Sequence, residues 1–177
     1  MTLETVHPLA AWESYYVVVG TSGAALIGMQ FVVMTLIAER RNRAAGEAIK
    51  AFGSPTVVHL ALALVISAVM SAPWTTLGTA GIIMLLCGLS GLTYAALVIL
   101  RTRKQTAYVP VWQDWVWYAI LPSLSYLALS ISAWLLTSDT ETALFTIAAV
   151  ALVLILIGVH NAWDSITHIV VEGADHA

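Results

Sequence analysis

Four polar residues that could take part in chemistry lie close together near the end of an apolar stretch. They are His160, Asn161, Asp164 and His168. Residues four apart share one face of a helix, so His160, Asp164 and His168 form one stripe, with Asn161 beside it. Polar groups at membrane depth are expensive. We therefore expect this stripe to face the inside of a helical bundle.

A further histidine, His59, lies about one turn inside another apolar segment. A hydrocarbon layer about 20 residues long places His59 and the polar stripe at the same level, near one membrane face. If the two helices are neighbours, His59 can contact a residue of the stripe. A shared polar site between the second and fifth helices is the prediction.

Three interpretations of this cluster stay open. In the first, it is a polar helix end, in which Asp164 orients or pairs with His168. In the second, imidazole and carboxylate groups relay protons or ions, because histidine titrates near neutrality. In the third, His59 and either His160 or His168 are the axial pair of a haem b, or a His and an Asp four residues apart share a metal ion. The sequence contains neither a Gly-x-Ser-x-Gly nor a His-Glu-x-x-His motif, so no enzymatic activity is indicated.

The elements that must position these residues are apolar helices. The chain is 60% hydrophobic and only 10% charged, with a mean hydropathy of +0.89, which is typical of a membrane protein. We expect one all-α transmembrane domain over residues 1–177, a five-helix bundle in contact with the lipid bilayer. The predicted spans are residues 15–37, 55–74, 77–100, 115–136 and 143–171.

The basic residues predict how the bundle is oriented. All seven Lys and Arg residues follow the first or the third span. The positive-inside rule then puts the N-terminus outside and the C-terminus in the cytoplasm, which agrees with an odd number of spans. Because the basic residues form two short clusters and no larger surface, nucleic acid is not expected as a partner.

Local signals predict where three helices begin and where one bends. Ser54 before Pro55 is typical of an N-cap followed by the first helical residue. Asp114 can cap the fourth span, and Ser138 with Glu141 has the spacing of a capping box before the fifth. Pro122 interrupts the hydrogen bonding of the fourth span and is expected to kink it.

Small residues at helical spacing predict close helix packing. The first span carries Gly20, Ala24 and Gly28. The third span carries a similar series, which consists of Gly81, Gly88 and Gly91. Such residues let helix backbones approach closely in a membrane. They favour a tight bundle, a homo-oligomer, or docking to another membrane subunit.

Two sequence elements resemble a group of uncharacterised bacterial integral membrane proteins. The first is Gly-Ala-Ala-Leu-x-Gly followed by Phe-Val, here within Gly23 to Val33. The second is Asn-Ala-Trp-Asp, here from Asn161 to Asp164. The resemblance implies a multi-pass protein of the bacterial plasma (inner) membrane and carries over no activity.

The sequence favours a small non-catalytic membrane protein that associates with itself or serves as an accessory subunit of a membrane assembly. The first alternative is a proton or ion channel or transporter that uses the His/Asp cluster. The second alternative is an electron-transfer subunit that binds haem b. Purified protein separates the three by its absorption spectrum, its proton flux in liposomes and its oligomeric state.

Overall fold

Five helices make up the described part of the chain. The computed structural model describes residues 8–40, 44–104 and 111–174, with side chains over 8–35, 55–103 and 111–167. After a short 3-10 turn, Ala10–Trp12, the described residues contain helices and no strand. The helices are α1 (Glu13–Arg40), α2 (Ala44–Met70), α3 (Leu77–Lys104), α4 (Trp112–Leu135) and α5 (Thr140–Ala174). The predicted all-α helical bundle is confirmed.

Four of these helices are long and apolar enough to cross a membrane. The qualifying segments are Ala10–Thr35, Leu77–Arg103, Trp112–Leu135 and Thr140–Thr167. The apolar part of α2 with described side chains, Pro55–Met70, is shorter. In hydrocarbon the backbone has no water to bond to, and a helix satisfies its peptide groups internally. Length and composition thus explain why these segments are helical.

The helices pack in a spatial order that differs from their order in the chain. The extensive contacts are α1 with α2, α2 with α5, α5 with α4, and α4 with α3. The consecutive helices α2 and α3 touch only slightly. In α5, 56% of the most apolar window is buried, compared with 22% in α1 and in α3. Helix α5 is therefore central, and α1 and α3 flank the bundle.

We name the two ends of the bundle by their charged residues. The basic end carries Arg101 and Arg103 at the end of α3, and the Arg103 guanidinium carbon lies 6.0 Å from the ring centroid of Trp115 at the start of α4. The acidic end carries Asp139, which lies between α4 and α5, and Glu141 in the first turn of α5.

Side chains at the acidic end tie α1 to α5. The Tyr15 hydroxyl donates a hydrogen bond to the carbonyl oxygen of Ala148, at 2.7 Å. The Trp12 ring packs edge-on against Phe145, with 4.8 Å between the ring centroids. These aromatic contacts position the start of α1 on the central helix.

The predicted start of the second helix at Pro55 was wrong. Helix α2 begins at Ala44 and runs through Pro55. An interior proline removes one backbone donor and crowds the preceding turn, but it does not end the helix here. The helix ends at Met70, not at the predicted residue 74, because Pro73 disfavours helical conformation before it. The Trp74 indole N–H donates to the carbonyl oxygen of Val69 at 2.6 Å and satisfies the helix end.

The start of α5 is also capped differently from the prediction. The helix begins at Thr140, and the Asp139 carboxylate accepts the backbone N–H of Thr142 at 3.3 Å. The hydroxyl of Ser138 instead donates to the carbonyl oxygen of Leu135 at 3.3 Å. Asp139 is therefore the N-cap, one residue later than the predicted capping box, because its carboxylate reaches the free N–H groups of the first turn.

Helix α4 contains a wider turn just before its proline. Residues Val116–Ile120 form a π-helical turn, in which the N–H of Leu121 bonds to the carbonyl oxygen of Val116. Pro122, which is buried, follows directly. The Asp114 carboxylate accepts the N–H of Val111 at 2.9 Å, so Asp114 caps the helix from within its first turn. The predicted irregularity at Pro122 thus takes the form of a π turn, a feature that is frequent at functional sites.

Candidate functional site

His59 is buried in the bundle and is bound to α4. Its side chain is 2% exposed, and its Nδ1 atom lies 2.5 Å from the Tyr126 hydroxyl oxygen. The Tyr94 ring stands nearly perpendicular to the imidazole, at 6.4 Å between the ring centroids. Although α2 and α5 are neighbours, as the shared site required, the hydrogen-bond partner of His59 is a tyrosine of α4.

Glycines of α3 make room for this tyrosine. A Cβ atom added to Gly91 would lie 2.6 Å from Cγ of the Tyr126 ring. A Cβ atom at Gly88 would lie 3.1 Å from the carbonyl oxygen of Tyr126. Two turns away, one at Gly81 would lie 3.0 Å from the carbonyl oxygen of Ala133. The small residues of α3 are therefore used within the chain, where they let α4 pack closely and leave room for the Tyr126 ring that bonds to His59.

The polar stripe of α5 contacts the π turn of α4. The ring of His160 stacks on Trp117, with 3.8 Å between the centroids and an interplanar angle of 15°. The Tyr118 hydroxyl donates a hydrogen bond to Asp164 Oδ2 at 3.0 Å. Consecutive residues of the π turn thus hold residues one helical turn apart on α5. Asp164 is nevertheless exposed, so the prediction that the stripe faces the inside of the bundle was wrong for this residue. The side chain of His168 lies outside the described part of the structure.

Asn161 lies between these two contacts and is completely buried. Its side chain is 0% exposed, and within the described residues neither its amide oxygen nor its amide nitrogen has a hydrogen-bond partner. Ser165, also buried, donates its hydroxyl to the backbone carbonyl of Asn161 at 2.7 Å. The polar residues of the cluster are therefore divided between His59 with Tyr126, the π-turn contacts, and the isolated amide.

The small residues of α1 divide between an inner and an outer face. A Cβ atom added to Gly20 would lie 3.0 Å from Ser67 Cβ. One added to Gly23 would lie 3.4 Å from the carbonyl oxygen of Leu60. Both positions face α2. By contrast, Ala24 is exposed. Apart from the neighbouring backbone of α1 itself, no described atom lies within 4 Å of a Cβ atom at Gly28.

The described histidines do not fit a bis-histidine haem site. The His59 ring is enclosed by Tyr94 and Tyr126, and the His160 ring is stacked on Trp117, so the two imidazoles do not form a facing pair. Two facing imidazoles are what a six-coordinate haem b needs. No group of three or more His, Cys, Asp or Glu side chains within the described ranges is arranged to hold a metal ion.

Three aromatic residues contact the cluster, and none of them belongs to the predicted site. Trp117 and Tyr118 have the composition of an interfacial anchor, and Tyr126 lies among the hydroxyl residues after Pro122. A tyrosine in the middle of an apolar span was the available signal for Tyr126. No sequence signal indicated a π turn, which depends on how α4 packs against α5.

The fold and the buried polar contacts define a multi-pass α-helical membrane protein. Comparison of the chain with protein-family models, curated proteins and solved structures finds no match.

Proposed function

We propose that this protein is a non-catalytic multi-pass protein of the bacterial inner membrane that associates with a second copy or another membrane subunit through the outer face of α1. The observation that carries the proposal is the outward position of Ala24 and Gly28. The three glycines of α3 pack against α4, and Gly20 packs against α2. Of the six residues in the two predicted small-residue series, Ala24 and Gly28 are the pair left for a partner helix.

The outer face of α1 has the form of a helix-packing surface. Ala24 and Gly28 are four residues apart and lie on one side of the helix. Exposed larger residues, Phe31 at 60% and Val32 at 59%, border them. In lipid, hydrophobic burial cannot drive association, so a groove of small residues that permits close backbone contact supplies the packing energy instead.

The experiment is a leucine substitution on this face. We expect Ala24→Leu to shift the purified protein from oligomer to monomer in mild detergent, measured by light scattering and by native mass spectrometry. The matched control is Met29→Leu, because Met29 is 67% exposed and lies about 140° around the helix from Ala24 at 100° per residue. An unchanged oligomer in Ala24→Leu refutes this interface, and a monomeric unsubstituted protein excludes association with a second copy through it.

The basic end is proposed to face the cytoplasm, with all five helices crossing the membrane. The distribution of Lys and Arg supports this orientation through the positive-inside rule. In a Cys87→Ser background, Asp139→Cys should react with an impermeant maleimide added to intact cells, whereas Arg103→Cys should react only after lysis. The reverse labelling pattern contradicts the orientation, and equal labelling in intact cells contradicts the separation of these ends by the membrane.

Proton conduction is the second candidate function. It is favoured by two pairs of protonatable side chains: His59 and Tyr126 form a buried pair, and Tyr118 donates a hydrogen bond to the exposed carboxylate of Asp164. Such intramembrane groups often mark proton pathways. Conduction requires a proton flux in liposomes that Asp164→Asn abolishes and Asp139→Asn, at the acidic end, preserves. No flux above that of protein-free liposomes excludes this function.

A further inference from the structure

The side-chain amide of Asn161 is buried and has no hydrogen-bond partner among the described protein atoms. An asparagine side chain can donate two hydrogen bonds and accept two. This one is 0% exposed and makes none within the described residues. Buried polar groups in native proteins are almost always bonded to protein or to ordered water. Because lipid offers no hydrogen bonds, a fully dry amide at this depth would be strongly unfavourable.

The register of the neighbouring helices locates Asn161. A Cβ atom at Gly158 would lie 2.6 Å from Leu60 Cδ2, so α2 covers α5 one turn away. On the other side, Trp117 contacts His160 and Tyr118 contacts Asp164. These two contacts bracket Asn161 along α5. The amide is therefore enclosed where α2, α4 and α5 meet.

The adjacent turn of α4 contains a backbone carbonyl group that also lacks its usual hydrogen-bond donor. Pro122 has no N–H to donate, and the N–H of Leu121 bonds to Val116. At least one carbonyl of Trp117 and Tyr118 consequently lacks its usual helical donor. An unpartnered amide and a carbonyl without its helical donor thus occur at the same level on neighbouring helices.

We propose that the Asn161 amide and the backbone carbonyl of Trp117 or Tyr118 that lacks its helical donor form a buried binding site for water inside the bundle. Water both donates and accepts, so one or two molecules can bond to the amide oxygen, the amide nitrogen and the carbonyl. The chemistry selects a small neutral hydrogen-bonding ligand, because no charged side chain takes part in the site. This site does not depend on association through α1.

The first test is infrared spectroscopy of protein in nanodiscs before and after exchange into H₂¹⁸O. A buried water with weaker hydrogen bonds than bulk water gives a sharp O–H stretching band above the bulk band, and exchange for the heavier isotope shifts this band to lower wavenumber. We expect this band in the unsubstituted protein, its loss in Asn161→Leu, and its loss in Pro122→Ala, which restores a backbone N–H.

The matched control is Ser132→Ala. Ser132 is also buried, at 2% exposure, but its hydroxyl is bonded to the carbonyl oxygen of Ala128 at 2.8 Å. The band must persist in this variant. Absence of the band from the unsubstituted protein, its survival in Asn161→Leu, or its loss in Ser132→Ala overturns the proposal.

An experimental structure that resolves ordered water provides a test without substitutions, should the variants fail to fold. Density for water about 3 Å from Asn161 Oδ1 or Nδ2 supports the site. An Asn161 amide bonded directly to protein groups, with no water beside it, overturns it.

Discussion

Gly91 gives the sharpest test of how the bundle positions its buried histidine. A Cβ atom at this position would lie 2.6 Å from Cγ and 2.7 Å from Cε1 of the Tyr126 ring. Tyr126 is 0% exposed and hydrogen-bonded to His59, so its ring has little freedom to move away. Gly91→Ala must therefore push α3 away from α4 or displace the ring.

The magnitude follows from two opposing effects. Adding a methyl group to a packed interior costs about 1–3 kcal/mol. The higher helix propensity of alanine stabilises the folded state by about 1 kcal/mol relative to glycine. Because the obstacle is a fixed aromatic ring, we expect Gly91→Ala to lower the free energy of unfolding by about 1–2 kcal/mol.

The assay is reversible unfolding of the protein in bicelles, followed by circular dichroism or steric trapping. The matched control is Gly78→Ala in the same helix. Apart from the neighbouring backbone of α3 itself, no described atom lies within 4 Å of a Cβ atom at Gly78. The control should be as stable as the unsubstituted protein or slightly more stable. If Gly91→Ala is equally stable, α3 does not pack on Tyr126 as described.

Two further predictions concern a helix cap and a buried hydrogen bond. Asp139→Ala should lower the free energy of unfolding by about 0.5–2 kcal/mol through loss of the α5 N-cap, whereas Ser138→Ala should change it little; equal effects in the same unfolding assay would contradict the assignment of the cap. Tyr126→Phe should lower the free energy of unfolding by about 1–3 kcal/mol, because it leaves His59 Nδ1 buried without a partner. The double variant with His59→Leu should then be less destabilised than the sum of the single variants, and strict additivity in this double-mutant cycle would show that the two side chains do not interact.

The spacing of small residues predicted which helix faces pack closely but not which helix packs against each of them. The spacing of Gly81, Gly88 and Gly91 predicted close packing, and the structure places all three against α4. The same kind of pattern in α1 is divided, since Gly20 faces α2 and Gly28 faces outward. Spacing identifies a helix face but does not specify what covers it.

Prediction of helix ends from single residues was less successful. Ser54 and Pro55 have the types expected at a helix start, yet α2 passes through them. Ser138 precedes Asp139, and both residues can cap a helix, so a shift of one position changes the assignment. Cap signals compete with the helix propensity of their neighbours, and the outcome depends on the geometry of the connecting chain.

The sequence by itself determined that this is a helical membrane protein, because a chain this apolar must satisfy its backbone hydrogen bonds within each segment when it lies in lipid. Only the tertiary structure decided that α5 is central, that α2 packs on α5 and only slightly on α3, and that His59 bonds to Tyr126. The physical reason is that these helices are apolar on nearly every side, so hydrophobicity does not select an inward face. Close packing at glycines and the bonding of a few buried polar groups select it instead.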